Sequence, residues 1–411
     1  MMSRAPLIWG TVLFAAGITL SEYLPIAISL SLLLLCLAGC SLSWKRKGRI
    51  FLFFAIPTWL LLGCLRGGIP THEYAFAKAI RQEGRQWNTQ LTKQLQKSGL
   101  RGESLGMVSS LLLGNRSMLD RQTRKSFSQA GVSHLLALSG MHLGILYGIL
   151  YFFIISAFRF SRWRWFLLPI ILLAIWSFAI LTGSPRSLVR ASLMLSISTT
   201  IVFSSRYVML KSPLSSRIMG LHILSLSALV MLIAEPENLH DIGFQLSFAA
   251  MYALTLVRQK TRIPSSKIPS NIAKWIVQIV CVSFVAQIGT LPITTYYFHS
   301  ISLIAPFLNI VLIPITMLII YASLPLLFFR LGWLADILTW MIETECRFIK
   351  ASVQLPFTLI EGIYPPAWAV FLLYVLILTV VLRETERPEI PNRWKNQRVI
   401  DDSESRWNFY G

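Results

Sequence analysis

The stretch SLIAPFLNIVLIPITMLIIYASLPLLFF, residues 302–329, contains no Asp, Glu, Lys or Arg. An α-helix needs about 20 predominantly apolar residues to cross the hydrocarbon core of a bilayer, and this run is longer than that. A membrane β-strand would alternate apolar and polar positions over about ten residues. Here apolar side chains follow one another without alternation. Lipid offers the backbone no hydrogen-bond partner, so such a run is read as a helix that bonds its own amides and carbonyls.

Comparable runs recur on both sides of it. Spans are predicted near 7–20, 25–42, 50–65, 132–157, 166–182, 187–204, 218–234, 242–257, 275–296 and 366–382. Segment 331–350 carries Asp336, Glu343, Glu345 and Arg347. It is either an interfacial amphipathic helix or a span packed inside the bundle. The expected fold class is all-α, a polytopic transmembrane helix bundle with about 10–11 spans. Composition agrees: of 411 residues 55% are hydrophobic and 14% charged, where a soluble domain has about 25% charged. Residues 1–20, with Arg4 before an apolar run, begin as a signal peptide does. The hydrophobicity resumes after Ser21–Pro25, so a retained helical hairpin is expected. Cys36, Cys40, Cys64, Cys281 and Cys346 form no CxxC pair, so neither a zinc site nor a disulfide framework is expected.

The formal charge is +20, and its placement is ordered. Cations cluster at 45–49, 159–164, 206–217 and 258–274 and in the tail after 383, while the alternate connections carry Glu22, then Glu235, Glu237 and Asp241, then His299. The positive-inside rule places the cationic connections and both termini in the cytoplasm, provided 331–350 crosses once. Residues 66–131 then face outward although they hold Arg66, Lys78, Arg81, Arg85, Lys93, Lys97, Arg101, Arg116, Arg121, Arg124 and Lys125. Longer translocated segments escape the charge rule. An outward cationic surface that meets a polyanion is the sharper reading. The expected organisation is an N-terminal three-helix membrane segment over 1–65, a short basic extracytoplasmic segment over 66–103, the main transmembrane domain over 104–382 and a cytoplasmic tail over 383–411.

Polar residues inside these runs mark candidate sites. In SHLLALSGMHLGILYG, residues 133–148, Gly140, Gly144 and Gly148 recur every four positions, a spacing that lets helices approach closely in lipid. On a continuous helix His142 is turned roughly 80° from His134. Each lines a polar path or rests at an interface. Ser139 lies between them. The turn TGSPRSLVR, residues 182–190, pairs Ser184 and Pro185 as an N-cap and first-turn couple and puts Arg186 and Arg190 on one face. Two cations beside a helix N-terminus oppose its dipole unless an anion is present, which suits either a phosphate ligand or lipid headgroups. In DIGFQLSF, residues 241–248, Asp241 is a first-turn carboxylate, while Gln245 and Ser247 need polar partners. Gln287, Gly289, Pro292, Pro306, Asn309 and Pro314 interrupt two successive runs, as broken helices do around transport paths and as ordinary kinks also do.

These blocks, in this order, resemble the competence domain of the ComEC family. The residues that carry the resemblance are LLLGNRS at 111–117, AGVSHLLALSGMHLGI at 130–145, GSPRSLVRASLM at 183–194, EPENLHDIGFQLSFAA at 235–250, QIGTLPITTYYF at 287–298 and APFLN at 305–309. The resemblance covers roughly 104–350. It implies a multi-pass protein of the bacterial inner (plasma) membrane, a channel for incoming DNA, single-stranded, during natural transformation. His134, Ser139, His142, Arg186, Arg190, Gln245, Gln287 and Asn309 then line or guard the path, with Gly140, Gly144 and Gly148 packing helices. Tyr296, Tyr297 and Phe298 could stack bases or serve as interface anchors. Family members also carry an outward OB-like domain and, in many cases, a metallo-β-lactamase-like domain. The 66–103 interval is too short for the first, and the chain ends soon after its last predicted span. The expectation is a reduced member with separately encoded DNA receptor, nuclease and cytoplasmic motor as partners, in contact with membrane lipids, and with a homo-oligomer left open. No Walker A run and no HExxH or HxHxDH run occurs, so an ATP-driven motor and a metal hydrolase are not expected, nor any cofactor, metal or catalytic residue. A transporter of another anionic solute, such as a nucleotide or lipid phosphate, and a non-conducting assembly factor remain as rivals.

Overall fold

The computed structural model describes residues 6–43, 49–69, 75–136, 138, 140, 142–144, 146–148, 150, 164–204, 213–257, 271–355 and 358–386. Residue 139, the basic connections after 43, 150, 204 and 257, and the tail after 386 lie outside them. The chain divides into one unit over Met1–Tyr364 and a second over Pro365–Gly411.

In the first unit the helices are α1 (Pro6–Leu20), α2 (Ile26–Ser43), α3 (Arg49–Gly68), α4 (Ala75–Lys97), α5 (Gly102–Leu113), α6 (Arg121–Gln129) and α7 (Ser133–Leu136). They continue with α8 (Arg164–Leu181), α9 (Arg186–Ser204), α10 (Pro213–Ala234), α11 (Ile242–Val257), α12 (Asn271–Phe298), α13 (Ala305–Phe329) and α14 (Gly332–Val353). The strands β1 (Ser300–Ser302) and β2 (Leu359–Glu361) pair antiparallel, with Ile301 opposite Ile360. The second unit holds α15 (Ala367–Glu386). The all-α expectation stands, with this two-stranded ribbon added among the described residues. By length and composition, Ala273–Phe298 and Ala305–Phe329 are apolar enough to cross a membrane. Shorter apolar helices include Leu7–Leu20, Leu168–Leu181, Met219–Ala234 and Ile242–Val257.

Small residues set how closely the first helices approach. A Cβ on Gly17 of α1 would strike the Leu60 carbonyl, and one on Gly63 of α3 would strike the Phe14 carbonyl. The two backbones therefore touch with no side chain between them, as small residues permit. The C-terminal end of α3 is tied to α10 by Arg66, whose Nη2 donates to the Ala234 carbonyl at 2.8 Å and whose Nε donates to that of Ile233. A cation that takes the last carbonyls of a helix also complements its dipole. Arg66→Ala is expected to lower stability by about 1 kcal/mol, read as a drop in the melting temperature of the detergent-solubilised protein.

Three cores result. One joins α1, α10 and α11 through Phe14, Ile18, Leu232, Phe244 and Phe248. A second joins α8 to α9 and to the chain at Leu138 and Leu143, through Ile171, Ile175 and Leu188. The largest gathers α4, α5, α6, α7, α13 and α14 around Leu111, Phe127, Leu312, Ile319 and Leu338. Helix α4 is amphipathic: Asn88, Thr92 and Leu95 are buried while Arg85, Lys93 and Lys97 are exposed. It lies along the bundle. A Cβ on its Gly84 would meet the Ile180 carbonyl at the end of α8, and Gln94 donates to the Leu327 carbonyl at the end of α13 at 2.7 Å.

Two details depart from the sequence reading. The run 132–157 is not one continuous helix. Helix α7 stops at Leu136, Leu138 is non-helical, and helix resumes at Gly140. The Leu136 carbonyl accepts from Ser110 Oγ at 2.8 Å, and the Leu138 carbonyl accepts from Ser187 Oγ at 2.7 Å. These hydroxyls replace the amide donors that a continuous helix would supply, so the break carries little penalty. Conversely, Gly289, Pro292 and Pro314 do not break their segments, since α12 and α13 run through them. Near Pro292 the hydroxyls of Thr294 and Thr295 accept no burden of repair from outside; they donate to carbonyls of their own helix, at Thr290 and Leu291.

Candidate functional site

The break at Leu138 lies beside the start of α9. The chain reaches that start through a tight reversal. Gly183 (φ +80°) and Ser184 (φ +52°) are both left-handed, and the Ser184 amide donates to the Ala179 carbonyl at 2.7 Å. This closes α8 as a Schellman-type cap. Ser184 is therefore spent on ending α8 and is not the N-cap of α9, which corrects the sequence reading. The Pro185 carbonyl accepts the first helical bonds, from Leu188 and Val189. Proline has no amide to lose there.

Arg186 and Arg190 project from this first turn, as their spacing predicts. Both meet Asp241, immediately before α11. Arg186 Nη1 donates to Asp241 Oδ2 at 3.1 Å, and Arg190 Nη1 stands 3.6 Å from Oδ1. Asp241 also caps α11, its Oδ1 accepting the Phe244 amide at 2.7 Å. One carboxylate thus serves two guanidiniums and a helix end.

The two arginines differ in burial. Arg186 is 57% exposed at its side chain, while Arg190 as a residue is 4% exposed. Among the described residues Arg190 Nε and Nη1 have no hydrogen-bond partner. An arginine stays charged at any ordinary pH, and a buried cation with open donors is unfavourable by several kcal/mol unless an acceptor arrives. The site accordingly carries one positive charge in excess and unused donors inside the protein. Gly243 leaves room for this: a Cβ there would lie 3.4 Å from Arg190 Nη2 and 3.1 Å from Asp241 Oδ1. Gly140 packs on the same helix, where a Cβ would stand 3.2 Å from Ala191 Cβ.

The other predicted site residues distribute as follows. His142 is 1% exposed, on the resumed helix after the break, and His134 is exposed on α7. Because the helix is interrupted between them, the 80° phase computed for a continuous helix does not describe their relation. Ser139 lies outside the described residues. A Cβ on Gly144 or Gly148 would meet nothing within 4 Å, so among the described residues the close approach in this triplet is at Gly140. Gln245 donates to the Leu239 carbonyl at 2.9 Å and pins the turn before α11. Gln287 donates to the Ser302 carbonyl, and Asn309 donates to Ser283 Oγ at 3.2 Å. The Asn309 bond joins α12 to α13, and the Gln287 bond joins α12 to β1. Ser302 in turn donates to the Ala130 carbonyl at 2.9 Å, which ties that contact to the segment preceding α7. Tyr296, Tyr297 and Phe298 are exposed, with the two tyrosine rings edge to face at 5.0 Å.

Sequence reasoning assigned no role to Asp241 beyond its own helix, and none to Ser110, Ser187 or Gly243. The Arg186–Arg190 spacing did signal a missing anion, and Asp241 in the next motif was the available one. Among the described residues no cluster of His, Cys, Asp and Glu could hold a metal ion.

Comparison with known proteins bears on the same segments. The chain is 29% identical over 298 residues to ComE operon protein 3 of Bacillus subtilis (strain 168), an alignment that covers 69% of this chain and 35% of that protein. The chain therefore spans about a third of the length of this relative. No solved structure matches. The model of the family described as Competence protein matches residues 111–387, which contain the helix break, the arginine pair and Asp241. The chain belongs to the Competence protein family, as its motifs led us to expect.

Proposed function

We propose that this protein is a multi-pass component of the bacterial inner membrane that passes DNA, as a single strand, into the cytoplasm during natural transformation. The observation that carries the reading is the Arg186–Arg190–Asp241 site. A buried guanidinium with unused donors, beside a second guanidinium and sharing one carboxylate with it, is suited to a phosphate group. Membership of the competence family and similarity to a competence-operon protein supply the substrate class. The exposed apolar flanks support the membrane setting. Ile28, Leu30, Leu32, Leu34 and Leu35 of α2 and Trp368, Phe371 and Leu372 of α15 are all exposed, and apolar rows of this kind require a covering surface.

In this reading the cationic connections face the cytoplasm. The exposed cations of α4 and α6, among them Arg85, Lys93, Lys97, Arg121, Arg124 and Lys125, meet the incoming polyanion first. Arg186 and Arg190 then hold backbone phosphates near the helix break. The exposed Tyr296, Tyr297 and Phe298 stack bases. In this reading these segments conduct the strand and a cytoplasmic motor drives it inward. Reporter fusions that place residues 66–103 in the cytoplasm would overturn this orientation.

The test is entry of labelled DNA into the cytoplasm of a deletion strain, with and without the plasmid-borne protein. Restored entry is expected. Arg186→Ala and Arg190→Ala are each expected to reduce it by about 10- to 100-fold, the equivalent of a charge-assisted phosphate contact. Normal uptake in the deletion strain would move the same arginine site to another anionic solute, a nucleotide or a lipid phosphate.

A further inference from the structure

Helix α14 buries one stripe, Leu334, Ala335, Leu338, Ile342, Glu345, Cys346, Ile349 and Ser352. Its other charged residues stay off that stripe. Asp336 is exposed, and Glu343 pairs with Arg347 at 3.1 Å on the exposed face. Glu345 alone stands where the pattern calls for an apolar side chain, and it is 1% exposed. Its Oε1 accepts from Thr316 Oγ1 of α13 at 2.8 Å, and its Oε2 has no partner among the described residues.

No described cation pairs with it. Helix α13 contributes Thr316 and carries no charged residue along its length. Helix α5 contributes Glu103, a like charge, which takes the Thr123 hydroxyl of α6 and stands 3.7 Å from Lys350. The cations of α6 (Arg121, Arg124, Lys125) and of α4 (Lys93, Lys97) are exposed, as is Lys350 of α14 itself. Cys346, the remaining titratable neighbour, is buried and uncharged as a thiol. A carboxylate taken out of water with neither cation nor second donor is far less favourable than the neutral acid.

We propose that Glu345 is a proton-binding site: it holds a proton as a neutral carboxylic acid, and release of that proton to solvent loosens the packing of α14 on α13. The step is a simple ionisation, with the O–H bond of Oε2 broken, its electron pair kept by the carboxylate and the proton passed to water. The anion left behind has one hydroxyl donor and an apolar surround, so the contact must open to admit water or a cation. Residues 302–359, gathered by the ribbon, are then the element whose packing follows proton occupancy.

Two measurements on the full-length protein in detergent test this. Infrared difference spectra between the wild type and Glu345→Gln, taken across the pH range, are expected to show a protonated-carboxyl C=O band that shifts in heavy water, disappears at high pH and is missing from the variant. No difference in that band at any pH would overturn the proposal. The melting temperature gives the second readout. A group that keeps its proton longer folded than unfolded loses stability as pH rises through the interval between the two pKa values. The wild type is therefore expected to lose several degrees from acid to alkaline pH, while Glu345→Gln, which keeps the volume without the ionisation, loses less. Parallel curves for the two proteins would also overturn it.

Discussion

Replacing Gly63 by leucine is expected to lower stability by more than about 3 kcal/mol, the far end of the range for a single substitution. The Cβ alone would collide with the Phe14 carbonyl of α1, and backbone cannot rotate away as a side-chain tip can. Gly17→Leu, which would strike the Leu60 carbonyl of α3, is expected to do the same. The loss should register as a large fall in melting temperature and as earlier proteolysis of the first three helices. Gly144→Ala, where a Cβ meets nothing within 4 Å, is expected to change little and serves as the control. An unchanged melting temperature for Gly63→Leu would mean that α1 and α3 stand further apart than described.

Asp241→Ala should be almost as damaging, through a different cause. It removes the cap on α11, worth about 1 kcal/mol. It also strips Arg190 of its nearest anion, and breaking a buried pair costs about 3–5 kcal/mol. The Asp241 side chain is 24% exposed, so the second contribution is discounted and a total near 3 kcal/mol is expected. Asp241→Asn keeps the capping oxygen and isolates the charge. It is expected to fall about 1 kcal/mol short of the alanine effect. Adding Arg190→Met to Asp241→Ala should recover part of the loss, because the uncompensated cation goes with it. If Asp241→Asn proved as stable as the wild type, Asp241 would be a helix cap and nothing more.

The sequence disclosed what depends on neighbours along the chain. Long apolar runs located the helices because a helix satisfies its backbone internally, whatever surrounds it. The spacing of Arg186 and Arg190 disclosed a shared face for the same reason. What it concealed depends on distant partners. The helix break at Leu138 is made tolerable by hydroxyls of Ser110 and Ser187, from two other helices. A pattern of Gly and Pro pointed instead at 286–314, where α12 and α13 absorb their prolines without breaking. Ser184 beside Pro185 looked like a helix start, yet the reversal left it to finish the preceding helix. Gly17 and Gly63 attracted no notice: Gly63 and Gly67 stand four apart, a spacing for close helix approach, but only the opposition of Gly63 to Gly17 in space shows which helix it meets. The charged residues of 331–350 blurred that segment until the fold divided them: Asp336, Glu343, Arg347 and Lys350 are exposed, while Glu345 is buried.

The ribbon formed by β1 and β2 has a consequence for the parity of membrane crossings. Helix α13 leaves the ribbon at Ser302, and α14 brings the chain back to it at Leu359. Paired strands stand about 4.8 Å apart, so entry and exit share one level along any axis through the bundle. In the membrane setting proposed above, the excursion between them would cross the bilayer an even number of times, whether it passed fully through or turned back within it. The side on which residue 359 emerges is thereby fixed by the side of residue 302. In that setting, an insertion or deletion inside the hairpin that leaves the ribbon intact would not move residue 359 to the other side.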